Sequence, residues 1–138
     1  VAPNGQGTLA QRNNNPGNIR IGEDWQGEKN PDTDASFEQF STPQYGIRAI
    51  AKIMITYSTK GINTIKEIIS TWAPSNENDT QSYIDSVCAS TGYDENFCLD
   101  MKNPIVLEKL VKAIILHENG QQPYSDAIIN QGVSLALE

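Results

Sequence analysis

"NPIVLEKLVKAIILHENGQQPY", residues 103–124, decides how this chain is read. Pro104 suits the first turn of a helix, and Gly120 suits its end. With about 100° between successive residues, Leu107, Val111, Ile114 and Glu118 share one face, while Glu108, Lys109 and Lys112 mark the solvent face. The helix therefore finishes its apolar stripe on an acid. The C-terminal end of a helix disfavours an anion, so Glu118 does nothing for the helix itself. Two readings fit. Either Glu118 swings to water before Asn119 and Gly120, or the helix emerges at the floor of a cleft and presents the acid there. A carboxyl group drawn partly out of water in a cleft can hold and deliver a proton. Cleavage of a glycosidic bond needs that, because the leaving oxygen must receive one.

Outward from this helix the same periodicity recurs. Thr42 and Pro43 open a helix with Ile47, Ile50, Ala51, Met54 and Ile55 in one stripe, stopped by Gly61. Asn63 is placed to cap a second, carrying Ile65, Ile68, Ile69 and Trp72 and ending before Pro74. Asp79 or Thr80 caps a third, with Tyr83, Ile84, Val87 and Cys88 inward and Gly92 after it. A short turn covers "DENFCLDM", and a last helix starts near Ser125 with Ile128, Ile129 and Leu135. Upstream, "RNNNPGNIRIGEDWQGEKNPDTDASFEQF" is dense in Asn, Gly, Pro and Asp, with apolar residues at Ile19, Ile21, Trp25, Phe37 and Phe40. That composition suits turns and short strands. The expectation is a mainly α fold, a helical body with one small strand-and-loop lobe near the N-terminus. Residues 1–11 read as a loose polar arm and residues 12–138 as a single domain.

Bulk properties narrow the chemistry. A chain of 138 residues can bury about two-thirds of its unfolded surface as one domain. A net charge of −7 argues against binding DNA, RNA or an anionic membrane surface. No apolar run reaches the ~18 residues of a membrane span. The opening "VAPNGQG" shows no signal-peptide pattern and reads as a processed or trimmed start. With one histidine and no Cys/His cluster a zinc site is not expected, nor is any other metal. No phosphate-binding glycine loop and no G-x-S-x-G occurs, so no cofactor is called for. Cys88 and Cys98 fit two readings, a disulfide or two reduced thiols. The turn-rich "ASTGYDEN" between them lets the chain fold back, and a bridge there is the expectation.

"AIILHENG" resembles the catalytic signature of the lysozyme-like superfamily, an apolar helix ending in Glu followed by a small or polar residue. "NNPGNIR", "DWQG" and "FEQFSTPQYGIRAIAKIM" together resemble bacterial cell-wall glucosaminidases related to the flagellar rod hydrolase. In those enzymes N-L-F-G-I-K, W-x-G and an F-R-x-Y with Ser precede a helix. Their later Y-A-T-D-P-x-Y is echoed by "NENDTQSYI", which aligns Thr80 and Tyr83. The set is also similar to phage virion-associated cell-wall enzymes that open with R-N-N-N-P-G-N. The likeness spans about residues 12 to 130 and rests on the ordered combination of short motifs. One departure stands out: in the glucosaminidases the catalytic Glu precedes N-L-F-G-I-K, whereas here the Glu-ending helix comes after it. A circularly permuted lysozyme-like domain accounts for this order, since permutation is tolerated where termini lie close at the surface.

The resemblance implies an enzyme that cleaves peptidoglycan between N-acetylmuramic acid and N-acetylglucosamine, as a muramidase or a lytic transglycosylase. Glu118 would be the general acid, with Tyr83 facing it as a second catalytic group. Asn15, Asn18, Trp25, Thr80 and Tyr124 are the candidate substrate-binding residues; each of these types also suits a purely structural role. His117 neighbours the acid but points off its face. Glu23, Glu28, Asp32, Asp34 and Glu77 are candidates for a second carboxylate. Implied partners are peptidoglycan strands, with a cognate inhibitor or a virion or secretion-system component beside them. Action in the periplasm or at the cell wall, by a virion-associated or secreted protein, would follow. The alternative is a noncatalytic lysozyme-fold module serving as a virion part or glycan-binding domain.

Overall fold

A computed structural model describes residues 9–21, 25–29, 37–74 and 77–138. Six helices follow in order: α1 (Leu9–Arg12), α2 (Pro43–Thr59), α3 (Ile65–Trp72), α4 (Glu77–Thr91), α5 (Pro104–Asn119) and α6 (Asp126–Leu137). The mainly α expectation holds. Of the expected N-terminal arm, residues 1–8 lie outside the described residues, and Leu9–Arg12 form the single turn of α1.

Helix α5 is the central element, packed against α2, α4 and α6. Leu107, Leu110, Val111, Ile114 and Ile115 are all fully buried. Asn103 caps the start by accepting from the Ile105 amide at 3.0 Å, and Pro104 fills the first turn. At the other end Gly120 takes φ 73°, and its N–H closes onto the Leu116 carbonyl. Helix α4 packs along α5, α3 packs on α4, and α2 lies against α6 in the most extensive helix pairing. Gly132 makes that last pairing close: a Cβ there would sit 2.5 Å from Ile47 Cγ2.

Two helix starts differ from the sequence expectation, each for a local reason. Thr64, not Asn63, caps α3, accepting from the Glu67 amide while its hydroxyl reaches the Glu67 carboxylate. Asn63 instead gives its carbonyl to the Leu99 amide at 2.8 Å. Helix α4 begins at Glu77, ahead of Asp79 and Thr80, and the Thr80 hydroxyl turns back to donate to the Ala73 carbonyl at 2.8 Å.

The N-terminal lobe contains no continuous strand among the described residues, only isolated antiparallel bridges, Arg20 to Phe37 and Glu28 to Phe40. Side-chain amides do the work of a sheet here. Asn15, with no exposed surface, accepts from the Ile19 amide and donates to the carbonyls of Ile19 and Glu38. Asn14 donates to the Phe40 carbonyl, and Gln39 to the Asn13 side chain. Asn14 and Asn18 adopt positive φ, 53° and 51°, a region asparagine tolerates better than other side-chain-bearing residues. The lobe seats on α2 at Gly46. A Cβ on Gly46 would lie 1.9 Å from the Asn14 carbonyl oxygen, so the seat requires glycine.

The expected disulfide is not formed: Cys88 and Cys98 are both free. Cys88 is half-buried against the core near the end of α4, whereas Cys98 is exposed in the connection to α5. That connection is tied elsewhere, by Lys66 N–H to the Glu95 carbonyl and by Leu99 N–H to Asn63, which draws it toward the start of α3. Turn-rich composition gave the chain freedom to fold back, but these bonds set where it went. Among the described residues no helix is long and apolar enough to cross a membrane.

Candidate functional site

The last turn of α5 meets the lobe, and Glu118 stands at the junction. Because α5 emerges from the core at its C-terminus, the face that buries Leu107, Val111 and Ile114 ends in a half-buried carboxylate. Its two oxygens are held separately. Oε2 accepts from the Tyr83 hydroxyl at 2.8 Å, and Oε1 accepts from the Asn18 side-chain amide at 3.2 Å. The neighbouring Asn119 reinforces the junction, its amide donating to the carbonyls of Pro16 and Ile115. The acid at the helix end is thus not swung into open solvent; it is gripped from α4 on one side and from the lobe on the other.

Tyr83 is 5% exposed. Its hydroxyl accepts from Trp72 Nε1 at 3.1 Å while donating to Glu118, so three side chains from α3, α4 and α5 form one directed chain. Burial pushes the phenol well above its ordinary range, and the charge of Glu118 and the hydrogen bond to it push further; donation from Trp72 acts weakly the other way. Tyr83 is therefore a fixed proton donor at neutral pH, not an anion. The His117 ring stacks on it, centroids 3.7 Å apart.

Beside this chain lies a cleft of about 300 Å³ lined by Gly17, Asn18, Ile19, Arg20, Ile53, Trp72 and Glu118. Among its described lining residues Glu118 is the one carboxylate and Arg20 the one cation. Its lining mixes polar and apolar groups, with the Trp72 side chain and the Asn18–Arg20 segment among them.

Of the candidates read from sequence, Glu118, Tyr83 and Asn18 come together. The others do not line this cleft. Asn15 is buried, with both amide hydrogens spent inside the lobe, so it cannot reach a substrate. Thr80 spends its hydroxyl on Ala73. Trp25 braces the lobe: its backbone amide donates to Glu28 Oε2 at 2.9 Å, and its indole nitrogen is buried. Tyr124 packs against the core with its hydroxyl buried, and that burial pushes its pKa up to about 12. Among the suggested second carboxylates, Glu28 serves the Trp25 turn. Glu23, Asp32 and Asp34 fall outside the described residues, as does the side chain of Glu77.

Sequence reading missed Trp72, Arg20, Ile53 and the stacking of His117. Trp72 carried a usable signal, since an aromatic residue that ends a stripe at a helix terminus sits where core meets surface. Arg20 stood at the end of the quoted NNPGNIR motif without being given a role, and nothing in the sequence singled out Ile53.

No family model matches the chain. A search among curated proteins finds Protein P5 of Pseudoalteromonas phage PM2, 44% identical over 126 residues, covering 88% of this chain and 77% of that protein. At that identity and coverage the chain belongs to the family of the phage PM2 Protein P5.

Proposed function

We propose that this protein cleaves the glycan strands of peptidoglycan, at the bond between N-acetylmuramic acid and N-acetylglucosamine, with Glu118 as general acid. The observation that carries the reading is Glu118 itself, a carboxylate at a helix end where it gives the helix nothing, held by Tyr83 and Asn18 at the wall of a cleft. The lysozyme-like, circularly permuted architecture belongs to the same proposal. It is supported by the meeting of the N-terminal lobe with the end of α5. Kinship with a phage protein fits a virion-associated protein, and action at the cell wall belongs to the proposal.

The chemistry follows from the hydrogen bonds. Two donors use two of the roughly four lone-pair sites of the carboxylate, so each oxygen keeps a site for the proton to be delivered. As the glycosidic C–O bond breaks, that proton passes to the leaving oxygen and the electron pair of the bond goes with it. Glu118 becomes an anion at that moment, and the Tyr83 hydroxyl and Asn18 amide already point at it. Donors fixed in advance where charge develops need no reorganisation during the step. A single carboxylate suits lytic transglycosylation, in which the muramyl 6-hydroxyl attacks the anomeric carbon and returns its proton to Glu118. Hydrolysis would use a water in place of that hydroxyl, with a second carboxylate to activate it when the configuration inverts.

Purified sacculi test the reading. Soluble muropeptides should appear, and mass spectrometry of their ends identifies the reaction: 1,6-anhydro muramic acid for a transglycosylase, reducing muramic acid for a muramidase. Reducing glucosamine would move the cut to the other bond. Binding to sacculi without any soluble product would leave a glycan-binding module in place of an enzyme.

A further inference from the structure

We propose that Arg20 makes the cleft selective for glycan that carries a carboxylate beside the scissile bond, by receiving that group on its guanidinium. This rests on the glycan-cleaving reading and adds which feature of the strand is recognised.

Arg20 lines the same cleft as Glu118 and is exposed. Its placement is built into the lobe. Asn15 clamps Ile19 through both its amide and its carbonyl, the Glu38 amide donates to the Ile19 carbonyl at 2.9 Å, and Arg20 bridges to Phe37. Ile19 packs partly against the core and lines the cleft beside Arg20. The guanidinium lies over the Phe37 ring, 4.8 Å from its centroid. The planar fork of N–H donors on a guanidinium matches a carboxylate. No carboxylate among the described residues pairs with it, although the chain carries a net charge of −7. As the one cation among the described residues lining this cleft, in a protein of net charge −7, Arg20 is a point of attraction for an anionic polymer set in a repulsive surround.

Sacculi whose carboxylates have been converted to amides supply the test, because the polymer is unchanged except for its charge. KM for solubilisation and the fraction of protein that sediments with sacculi are measured for wild type, Arg20→Gln and Arg20→Lys. Wild type should lose about tenfold in KM when the sacculi are amidated, the scale of one hydrogen-bonded charge. Arg20→Gln should show that tenfold loss already on native sacculi, no further loss on amidated ones, and an unchanged kcat. Arg20→Lys should recover part of the preference. Equal losses on amidation for wild type and Arg20→Gln, or no loss for wild type, would overturn the assignment while solubilisation still supports glycan cleavage. Sedimentation reads the carboxylate preference even if nothing is cut, so failure of the cleavage reading shows separately, as binding without products.

Discussion

Asn18 and Glu118, a hundred positions apart in the chain, meet through a 3.2 Å hydrogen bond that joins the N-terminal lobe to the end of α5. With the Asn119 amide on the Pro16 carbonyl and the seat at Gly46, it fixes how two parts of the molecule that share no continuous secondary structure meet. The orientation of the Glu118 carboxylate depends on both the lobe and α4.

Replacing Glu118 by Gln keeps the size of the side chain and one carbonyl oxygen for Tyr83, but removes the transferable proton. General acid catalysis is worth about 10²–10⁴-fold, and sacculus solubilisation should fall by that factor. Circular dichroism and the thermal midpoint should stay near wild type. A folded variant with undiminished activity would remove Glu118 from the mechanism.

Tyr83→Phe takes away the hydroxyl that receives Trp72 Nε1 and serves Glu118 Oε2. Both partners are left unsatisfied at a mostly buried position, at a cost of about 1–3 kcal/mol. Urea titration should show the lower midpoint, and kcat should drop more than KM because the carboxylate loses its closest donor.

Tyr83, Tyr124 and Tyr57 all hold their protons more tightly in the folded chain than the ordinary value of 10.0, in each case chiefly because of burial. The unfolded chain releases those protons near pH 10, while the native state keeps them. Between pH 10 and about 12, the value for Tyr124, the native state binds more protons, so stability falls as pH rises. Below pH 10 these groups make stability nearly independent of pH. Denaturant midpoints measured from pH 8 to pH 11.5 should trace the decline, and Tyr124→Phe should make it shallower.

Cysteine titration without reductant should count two thiols. Cys98 is exposed and should react at once. Cys88 should react slowly, since burial raises its thiol first and the nearby carboxylates of Glu95, Asp94 and Asp85 raise it further. Reductant should leave the thermal midpoint unchanged; a midpoint that drops with reductant would restore the disulfide.

Gly46→Ala should unseat the lobe. The added Cβ meets the Asn14 carbonyl oxygen at 1.9 Å, a backbone atom that cannot move without taking the loop with it. A destabilisation of about 3 kcal/mol is expected, the upper part of the range for overpacking. Activity should fall further than the stability loss explains, because the shift carries Asn18 away from Glu118. Unchanged activity would separate the lobe's seat from the site.

The helical body was legible because its period is strong. Stripes such as Ile47, Ile50, Ala51 and Met54, with proline at the start and glycine at the end, leave little choice. The break of the stripe at Glu118 pointed to the site for the same reason: an acid is conspicuous only against a regular apolar face. The lobe offered no such contrast. Asn15 and Asn18 are the same residue type three positions apart, and the tertiary bonds alone decide that one is spent inside and the other reaches Glu118. Thr80, Trp25 and Tyr124 do not line this cleft, because the groups that bind sugars also satisfy backbone, fill turns and pack cores. Trp72 was read as core and is half that, with its ring on the cleft wall and its N–H committed to Tyr83.

The bond between Asn18 and Glu118 also fixes when the site can exist. A chain made from its N-terminus exposes the lobe sequence early, yet the carboxylate that completes the site comes a hundred residues after Asn18. The lobe's own amide network can close once Phe40 is in place, but its partner on α5 must wait. Contacts of such long sequence separation are slow to form, since the loop must close before any of its bonds are gained. Refolding should therefore show helices first and the Asn18–Glu118 contact last, with any solubilisation of sacculi appearing on the slow phase.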